Sequence, residues 1–383
     1  MKSWTFPTTG LARGVNFALL LFTLAVSVTT SQAGELTDTW RGVDLSYVNE
    51  LEACGAKYAD ARGNTDPYKI FEAAGANWVR LRLWHTPEWT DYSTLDDVKR
   101  SIAQARAHGM NVLLDFHYSD DWVHPGKQLV PAAWRDVVDD TQALAAKLAD
   151  YTYQTLIVLD KEGLLPDAVQ VGNETNTDLV ITEEVAEDAP INWTRNVQLL
   201  NAGIDAVRRV SRETDASIAV MLHIAQPENV APWFSNGIDA GLHRFDLIGV
   251  SFYPKWSSTP FDAVGSLVKE WRSRFNADVV IVETAYPWSL GSNDAANNLL
   301  GPDSLVAGYP ADTDGQRRWL QDLFEKVTSH GGAGVVYWEP AWISSSCKTR
   351  WGEGSHWENA TLFDFQGRLH EGAAFLAPTD DSE

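Results

Sequence analysis

Residues 95–118, LDDVKRSIAQARAHGMNVLLDFHY, contain the unit that decides the fold. In residues 95–108 the apolar side chains recur at a spacing of about 3–4 positions, which is typical of an amphipathic helix. Residues 110–118 form a short apolar run that favours a β-strand and ends on the polar side chains of Asp115 and His117. Helices that alternate with strands along a chain predict parallel strands joined by right-handed crossovers.

The same alternation runs through most of the chain. Eight strand-like runs lie at 42–47, 77–84, 110–118, 167–174, 217–224, 245–253, 278–284 and 333–339. Eight such units in 383 residues predict an α/β protein, a single (β/α)8 TIM barrel with extended loops on its C-terminal face. An open doubly wound sheet is the alternative fold. It usually has a glycine-rich turn after its first strand, and GVDLSYVN at 42–49 has none.

Polar and aromatic side chains collect at the carboxyl ends of the strand-like runs. They are Arg80, Arg82, Trp84, Asp115, His117, Tyr118, Asn173, Glu174, His223, Tyr253, Glu283, Trp338 and Glu339. A charge that closes an otherwise apolar strand needs a partner or a chemical role. Because barrel enzymes build their sites at this end of the strands, the pattern predicts a functional site there.

The composition limits the classes of ligand. The formal net charge is −22, which disfavours nucleic acids and anionic membrane surfaces as partners. Tryptophan occurs 17 times, more often than tyrosine or phenylalanine, and flat aromatic surfaces suit a ligand with apolar faces such as a sugar ring. We therefore expect no nucleic-acid or membrane partner, and we expect a monomer.

The amino terminus resembles a secretory signal. Lys2 and Arg13 supply positive charge, residues 15–28 are apolar but shorter than a membrane span, and Ser-Gln-Ala at 31–33 fits a cleavage site. The sequence predicts a signal peptide at 1–33, a catalytic domain at 34–383 and a secreted or periplasmic protein. An uncleaved membrane anchor is the alternative.

The chain has two cysteines, Cys54 and Cys347. They follow the first and the eighth strand-like runs, which are neighbours in a closed barrel. An even number of cysteines in an exported protein permits a disulfide. A Cys54–Cys347 bridge is therefore favoured over two free thiols.

Four carboxylates at strand ends are candidates for chemistry, namely Asp115, Glu174, Glu283 and Glu339. Cleavage of a glycosidic bond needs two carboxyl groups, one to protonate the leaving oxygen and one to attack the anomeric carbon or to activate water. Glutamates after the fourth and seventh strands can reach a shared point above the barrel. The alternative is that some of these acids only form ion pairs with Arg80 or Arg82.

Five separated motifs resemble those of glycoside hydrolase family 53. They are RLRLW at 80–84, DFHYSDDW at 115–122, VQVGNE at 169–174, VETAYPW at 282–288 and YWEPAW at 337–342. The resemblance extends from Gly42 to about Phe365. It implies a clan A (β/α)8 barrel and a retaining arabinogalactan endo-β-1,4-galactanase, with a polysaccharide as its partner and no required cofactor.

The resemblance also implies residue roles. Glu174 would be the general acid/base and Glu283 the nucleophile, with Asn173 beside the acid. Arg80 lies in the pattern that this clan uses for an arginine contacting the nucleophile, although Arg82 points to the same side of the strand. The remaining supporting residues are His223 and Tyr253, which would position the acid and the base.

Aromatic and polar residues around the barrel mouth would bind the sugar chain. Trp338 is expected to form the floor of the subsite for the cleaved sugar. Asp115, His117 and Glu339 are expected to bond hydroxyl groups. The tryptophans that would extend the groove are Trp84, Trp122, Trp342, Trp351 and Trp357, and for each of them loop packing is the alternative.

Several further functions are compatible with the same residues. Asp115 and His117, with the acids and His124 that follow, could instead bind a divalent metal in a metal-dependent hydrolase. Loop 290–314 is rich in Asn and Asp, so a structural calcium is an alternative, less favoured than a solvated loop. The sequence also fits a clan A glycosidase that acts on another β-1,4-glycan, mannan or cellulose, and a sugar-binding barrel without activity.

Overall fold

The computed structural model describes residues 39–350 and 352–378. Its centre is a closed barrel of eight parallel strands whose neighbours in space are also neighbours in sequence. The strands are β1 (Trp40–Asp44), β2 (Trp78–Leu83), β3 (Asn111–Phe116), β4 (Ala168–Val171), β5 (Ala219–Ala225), β6 (Leu247–Ser251), β7 (Asp278–Glu283) and β8 (Gly334–Tyr337). This confirms the predicted (β/α)8 barrel and excludes the open doubly wound sheet.

Helices connect the strands on the outside of the barrel. They are α1 (Val48–Ala53), α2 (Pro67–Ala74), α3 (Leu95–Ala107), α4 (Thr141–Lys161), α5 (Trp193–Thr214), α6 (Pro227–Asp239), α7 (Val264–Phe275) and α8 (Thr313–Ser329). Short 3-10 helices lie at Ala132–Val137, Phe261–Ala263, Pro302–Ser304 and Glu371–Leu376. A two-stranded ribbon, β9 (Lys348–Thr349) with β10 (Gly352–Glu353), lies in the loop after β8.

The helix starts follow from local sequence. Thr94 accepts a hydrogen bond from the backbone N–H of Asp97 at the start of α3, and Asp140 and Asp312 cap α4 and α8 in the same way. Such caps satisfy backbone donors that have no partner inside the helix. Val98 and Ile102 of α3 are buried, so the apolar stripe seen in the sequence is the face that packs on the barrel.

The interior of the barrel changes from apolar to polar along the strands. At the amino-terminal end Trp40 and Trp78 stack with ring centroids 3.5 Å apart inside a buried apolar cluster. Gly42 leaves room there, because a Cβ at this position would lie 2.5 Å from the Val336 side chain. Arg80 lies two residues after Trp78 in β2, so its side chain points to the same face of the strand, where it is buried among polar groups. The apolar layer therefore supports a polar layer directly beneath the barrel mouth.

A disulfide joins Cys54, which follows α1, to Cys347 in the loop after β8, with the two Cα atoms 5.2 Å apart. The bridge ties the first and last loops of the mouth together, as the sequence predicted. The predicted signal peptide at 1–33 lies outside the described residues. Within the parts of the chain that are described, no helix is both long and apolar enough to cross a membrane.

Removal of the disulfide should destabilise the protein. The bridge closes a covalent loop of 293 residues, which limits the conformational entropy of the unfolded chain. We expect a Cys54→Ser and Cys347→Ser double variant to lose about 2–4 kcal/mol of unfolding free energy, measured by urea denaturation. Wild type unfolded in a reducing agent should behave like the variant, and equal stability of the oxidised and reduced wild type would contradict the expectation.

Candidate active site

A cleft of about 840 Å³ opens at the carboxyl ends of the strands. Asn173 and Glu174 enter it after β4, Tyr253 after β6, Glu283 at the end of β7 and Trp338 after β8. The two glutamates predicted to act together therefore line one cavity. This agrees with the rule that barrel sites form on this face.

Glu174 is presented by a sharp turn after β4. Gly172 has φ +85°, where a Cβ would lie 2.6 Å from the Thr175 side chain, and Glu174 itself has φ +44°. A left-handed backbone is uncommon for a residue other than glycine and is found repeatedly at functional sites. The turn directs the carboxyl group toward the cleft. There its Oε1 accepts a 2.6 Å hydrogen bond from Ser251 Oγ.

Glu283 ends β7 and is 7 % exposed. Its Oε1 lies 2.8 Å from Arg80 Nη1, and its Oε2 accepts a hydrogen bond of 3.3 Å from the Tyr253 hydroxyl. Both oxygens thus have a donor that favours the ionised carboxylate. A nucleophilic carboxylate needs this kind of environment.

Arg80 is the centre of the polar layer. Besides Glu283, its guanidinium contacts Asp44 Oδ2 at 2.8 Å and Asp115 Oδ2 at 2.7 Å. Nη2 also donates to Asn173 Oδ1 at 2.8 Å. A planar guanidinium can serve several oxygens at once, so one cation fixes groups from four strands or strand ends. Of the two predicted candidates, Arg80 and not Arg82 contacts the proposed nucleophile.

Arg82 has a different role. Its Nη1 lies 3.4 Å from Glu339 Oε1, and its guanidinium carbon lies 4.0 Å above the Trp122 ring. Tyr47 and Trp84 surround the same guanidinium at 4.7 and 4.6 Å. Arg82 is therefore a buried cation packed between aromatic rings, and it supports the wall of the cleft.

The two candidate acids share protonation. Burial raises the pKa of Glu174 to about 7 and the pKa of Glu283 to about 8. The negative charge of Glu174 raises the pKa of Glu283 further, while the Arg80 guanidinium lowers the pKa of both. Buried like charges disfavour a doubly ionised pair. When the pair holds a single proton, the direct ion pair with Arg80 favours Glu283 as the charged member.

The residues matched to a known family extend over nearly the whole described chain. Residues 40–376 match the sequence profile of Glycosyl hydrolase family 53. The chain belongs to glycosyl hydrolase family 53. The resemblance seen in five motifs is thereby confirmed.

Two relatives of this family 53 chain are named galactanases, and a solved structure of the family has the same fold. An arabinogalactan endo-β-1,4-galactanase from Cellvibrio japonicus is 46% identical over 353 residues, covering 92% of this chain and 94% of the relative. An endo-β-1,4-galactanase from Bacillus subtilis is 32% identical over 372 residues, covering 86% and 83%. A solved family 53 catalytic domain from Ignisphaera aggregans superposes with a TM-score of 0.79 at 33% identity, covering 90% of this chain and 97% of that one.

The supporting residues predicted for the family 53 site lie around Glu174. Asn173 lines the cleft and is held by Arg80 and by a 3.1 Å hydrogen bond from its amide to Val123 O. His223 is fully buried, and burial holds its pKa well below the ordinary histidine value, so it is neutral. Its Nδ1 lies 3.3 Å from the backbone N of Glu174. Asn173 and His223 therefore orient the acid from below.

Four residues predicted to bind substrate directly do not line the cleft. Trp84, Asp115, His117 and Glu339 are between 0 and 3 % exposed. Asp115 pairs with Arg80, His117 bonds Asp115 at 3.0 Å, and the Trp84 indole N–H donates to His117. The charged groups and hydrogen-bond donors of these side chains have partners inside the barrel. The structure places these four side chains beneath the cleft, where they support the residues above them, and their direct contact with sugar stays a prediction.

The other predicted tryptophans that can be placed lie at the cleft, while their contact with sugar stays a prediction. Trp122, Trp338, Trp342 and Trp357 line the cleft, and Trp338 meets Trp357 edge to face at a centroid distance of 4.8 Å. Trp351 lies outside the described residues. The family 53 cleft thus has a continuous aromatic wall on the β8 side.

Sequence reasoning missed several residues of the site. Asp44, Gln170 and Ser251 belong to the buried polar layer, and Trp256, 46 % exposed, lines the cleft. Asp44 carried a usable signal, because it is an acid that closes the first strand. Ser251 carried none, since a lone serine at a strand end has no special meaning by itself.

The metal alternatives find no support in the side-chain partners. In the described ranges no group of three or more His, Cys, Asp or Glu residues is arranged to hold a metal ion. Asp121 pairs with Lys127 and Arg350, away from Asp115. In loop 290–314, Asp294 accepts backbone hydrogen bonds and Asp303 pairs with Lys255.

The raised pKa of Glu174 predicts a pH-dependent stability. An acid whose pKa rises on folding contributes stability that is complete below its unfolded value and is lost as pH rises through the folded value. For Glu174 this window runs from 4.5 to about 7. Thermal unfolding measures the difference in unfolding free energy between Glu174→Gln and wild type. We expect this difference to shift in favour of the variant by about 1–3 kcal/mol as the pH rises from 5 to 8.

Glu353→Gln, on the exposed β10 strand, is the matched control for this prediction. Its difference from wild type in unfolding free energy should be the same at pH 5 and at pH 8. A Glu174→Gln variant whose stability relative to wild type does not change with pH would contradict the assigned burial of this acid.

Proposed function

We propose that the protein is a secreted endo-β-1,4-galactanase that cleaves the galactan or arabinogalactan side chains of pectin with retention of anomeric configuration. The observation that carries the proposal is the pair Glu174 and Glu283, which line one aromatic cleft of a family 53 chain, with Glu283 paired to Arg80. The named activities of the relatives from Cellvibrio japonicus and Bacillus subtilis support the substrate.

In the first step Glu283 attacks the anomeric carbon and Glu174 protonates the departing glycosidic oxygen. Arg80 and Tyr253 keep Glu283 ionised and aimed through its two oxygens. Burial keeps Glu174 protonated near neutral pH, as a general acid requires. The product of this step is a glycosyl ester on Glu283.

In the second step Glu174, now ionised, removes a proton from water, and the water displaces Glu283 from the anomeric carbon. Two inversions give net retention. Formation of the ester removes the negative charge of Glu283, so the pKa of Glu174 falls and Glu174 becomes able to act as the base. One carboxyl group thereby serves as acid and then as base.

The cleft suits a neutral glycan. Four carboxylates line it, from Glu174, Glu187, Glu228 and Glu283, and no lysine or arginine occurs among its described lining residues. An acidic lining repels uronate groups, while the aromatic wall offers apolar contact to ring faces. We therefore propose that the enzyme works on the neutral side chains of pectin and rejects its acidic backbone.

Export is part of the proposal. The predicted signal peptide at 1–33 directs the chain out of the cytoplasm, and the Cys54–Cys347 bridge is of the kind that persists in oxidising compartments. We propose a monomer that requires no cofactor and binds only its polysaccharide.

Loss of the Trp338 ring should weaken the reaction. Trp338 is half-buried and lines the cleft, and its backbone N–H donates to the carbonyl of Thr284, the residue after Glu283. We expect Trp338→Ala to lower kcat/KM on galactan by about 10–100-fold, the equivalent of burying one large apolar side chain. Trp338→Phe keeps an aromatic face and should fall between. Unchanged kcat/KM in Trp338→Ala would remove Trp338 from the substrate site.

The proposed function is tested by reducing-sugar release from purified polysaccharides. Linear β-1,4-galactan should be cleaved internally, whereas polygalacturonate, β-1,4-mannan and cellulose should not, and EDTA should leave the rate unchanged. Cleavage of mannan or cellulose in place of galactan would keep the mechanism and refute the substrate. Loss of activity in EDTA that zinc restores would favour the metal-dependent hydrolase.

A further inference from the structure

Ser251 bridges the proposed acid/base to a buried histidine. Its Oγ donates to Glu174 Oε1 at 2.6 Å and lies 2.8 Å from His223 Nε2. Both Ser251 and His223 are fully buried, so the three groups form a chain without solvent between its inner members. The register between β6 and β7 shifts at Val250 and Ser251, which sets Ser251 level with Glu283. Ser251 thus pairs with Glu283 through the strand backbone while its hydroxyl bonds Glu174.

Donor and acceptor roles in this chain follow from the chemistry. An ionised Glu174 oxygen can only accept, so the single hydroxyl hydrogen of Ser251 is used there. Ser251 then accepts from His223, which carries its hydrogen on Nε2. Nδ1 then has a single lone pair, which the backbone N–H of Glu174 at 3.3 Å and the amide of Gln170 at 3.0 Å share. The same nitrogen lies 3.0 Å from Asn173 Oδ1, whose lone pairs take hydrogen bonds from Arg80 and Gln170.

The His223 imidazole therefore contacts the backbone of Glu174 directly and its carboxyl group through Ser251. Nδ1 holds the backbone at the left-handed turn, and Nε2 holds the carboxyl group through Ser251. When Glu174 is ionised, Nε2 is the donor and Nδ1 the acceptor, so one ring makes both contacts. A hydroxyl that is itself a hydrogen-bond acceptor from an imidazole is a stronger donor to a carboxylate.

Other groups also act on the charge of Glu174. Besides Ser251, those that face it are Arg80, Asp115, Glu187, His223, Tyr253 and Glu283. Burial and the negative charges of Glu187 and Asp115 favour the protonated acid, whereas Arg80 favours the ionised form. Ser251 is the neutral side chain that donates directly to the carboxyl group. It opposes burial without adding a charge to the cleft.

We propose that Ser251 is a positioning residue for the acid/base: the His223–Ser251 pair fixes the Glu174 carboxyl toward the cleft and stabilises its ionised form for the second step. The proposal rests on the proposed function for the role of Glu174. No proton leaves the Ser251 hydroxyl in either step. Ser251 sets how readily Glu174 recovers its proton and where its free oxygen points.

The test is the titration of Glu174 followed in two ways. The first is carboxyl ¹³C NMR of labelled protein, with the Glu174 signal assigned by its absence in Glu174→Gln. The second is the pH dependence of kcat/KM on linear β-1,4-galactan, whose alkaline limb reports the acid of the first step. The variants are Ser251→Ala, Ser251→Thr and Ser46→Ala, the last removing a buried hydroxyl that bonds Asp44 on the other side of the mouth.

We expect Ser251→Ala to move the Glu174 titration and the alkaline limb upward by about one pH unit, the loss of one hydrogen bond to a charged group. Ser251→Thr keeps the hydroxyl and should restore the wild-type value, and Ser46→Ala should not move it. If Ser251→Ala fails to fold, Ser251→Cys supplies a weaker donor and should give a smaller upward shift.

An unchanged Glu174 titration in folded Ser251→Ala would overturn the proposal. The same holds if Ser46→Ala shifts the titration as much as Ser251→Ala, because the effect would then be a general loss of packing. The NMR titration needs no substrate, so it decides the role of Ser251 even if the protein does not cleave galactan. Failure of the proposed function would appear only in the kinetic measurement.

Discussion

Replacement of Glu283 by alanine is expected to lower kcat on β-1,4-galactan by about 10⁴-fold or more, the scale found when a nucleophile is removed. The ester intermediate cannot form without this carboxylate. Arg80 and Tyr253 would then face a gap where they now donate to Glu283. Initial rates of reducing-sugar release measure the loss, and circular dichroism checks that the barrel persists.

Azide tests the role of Glu283 independently of the rate loss. A small anion can enter the space left by the alanine and attack the anomeric carbon once, so an activated aryl β-galactoside should give the α-galactosyl azide. Glu187→Gln is the matched control, since it removes another carboxylate of the same cleft and should keep most of the activity. Full activity of Glu283→Ala would show that the constellation is misread.

Replacement of Glu174 by alanine is the second change with a very large expected effect. On galactan the sugar alkoxide is a poor leaving group, so loss of the acid should lower kcat/KM by about 10³–10⁴-fold, the upper part of the general acid–base range. On an aryl galactoside with an acidic phenol the first step needs little protonation. There the ester should form at a near-normal rate and accumulate, because no base remains for the second step.

The difference between the two substrates identifies the acid/base. With azide present, Glu174→Ala should yield the β-galactosyl azide, because azide then displaces the ester from the face that water uses. Glu228→Gln is the control, as Glu228 lines the same cleft and accepts hydrogen bonds from Ser257 and Ser258 of the segment after β6. An equal loss on both substrates, with no azide product, would refute the assignment of Glu174.

The fold could be predicted because its signal is repetitive. Each strand-like run is short and apolar, each is followed by a segment of helical period, and the count fits one closed barrel. The boundaries are harder to predict. The sequence pattern places the first run at 42–47, whereas β1 is Trp40–Asp44, because the residues after Asp44 remain buried and resemble a strand.

The site could be predicted only as far as strand ends reveal it. Glu174, Glu283 and Arg80 lie where strand alternation and the motifs placed them, and the structure brings them together. Strand position gives the height of a residue along the barrel but not whether other side chains cover it. Trp84 and His117 have the right height and are covered, in part by Arg82 and Trp122.

The contribution of Ser251 depends on a register shift between two strands, which a sequence read one strand at a time does not show. The same is true of Gln170, whose amide bonds Asp115 from the neighbouring strand. Polar contacts across strands form only after the barrel closes. They are the part of the site that required the structure.

The most direct test of the central claim is the anomeric form of the first product. Linear β-1,4-galactan is mixed with the enzyme and the reducing-end protons are followed by ¹H NMR before mutarotation. The proposed double displacement at Glu283, with its two inversions, predicts that β-anomeric ends of internal fragments appear first and the α form only later. Immediate appearance of α-anomeric ends, or no cleavage of galactan, would contradict a retaining endo-β-1,4-galactanase.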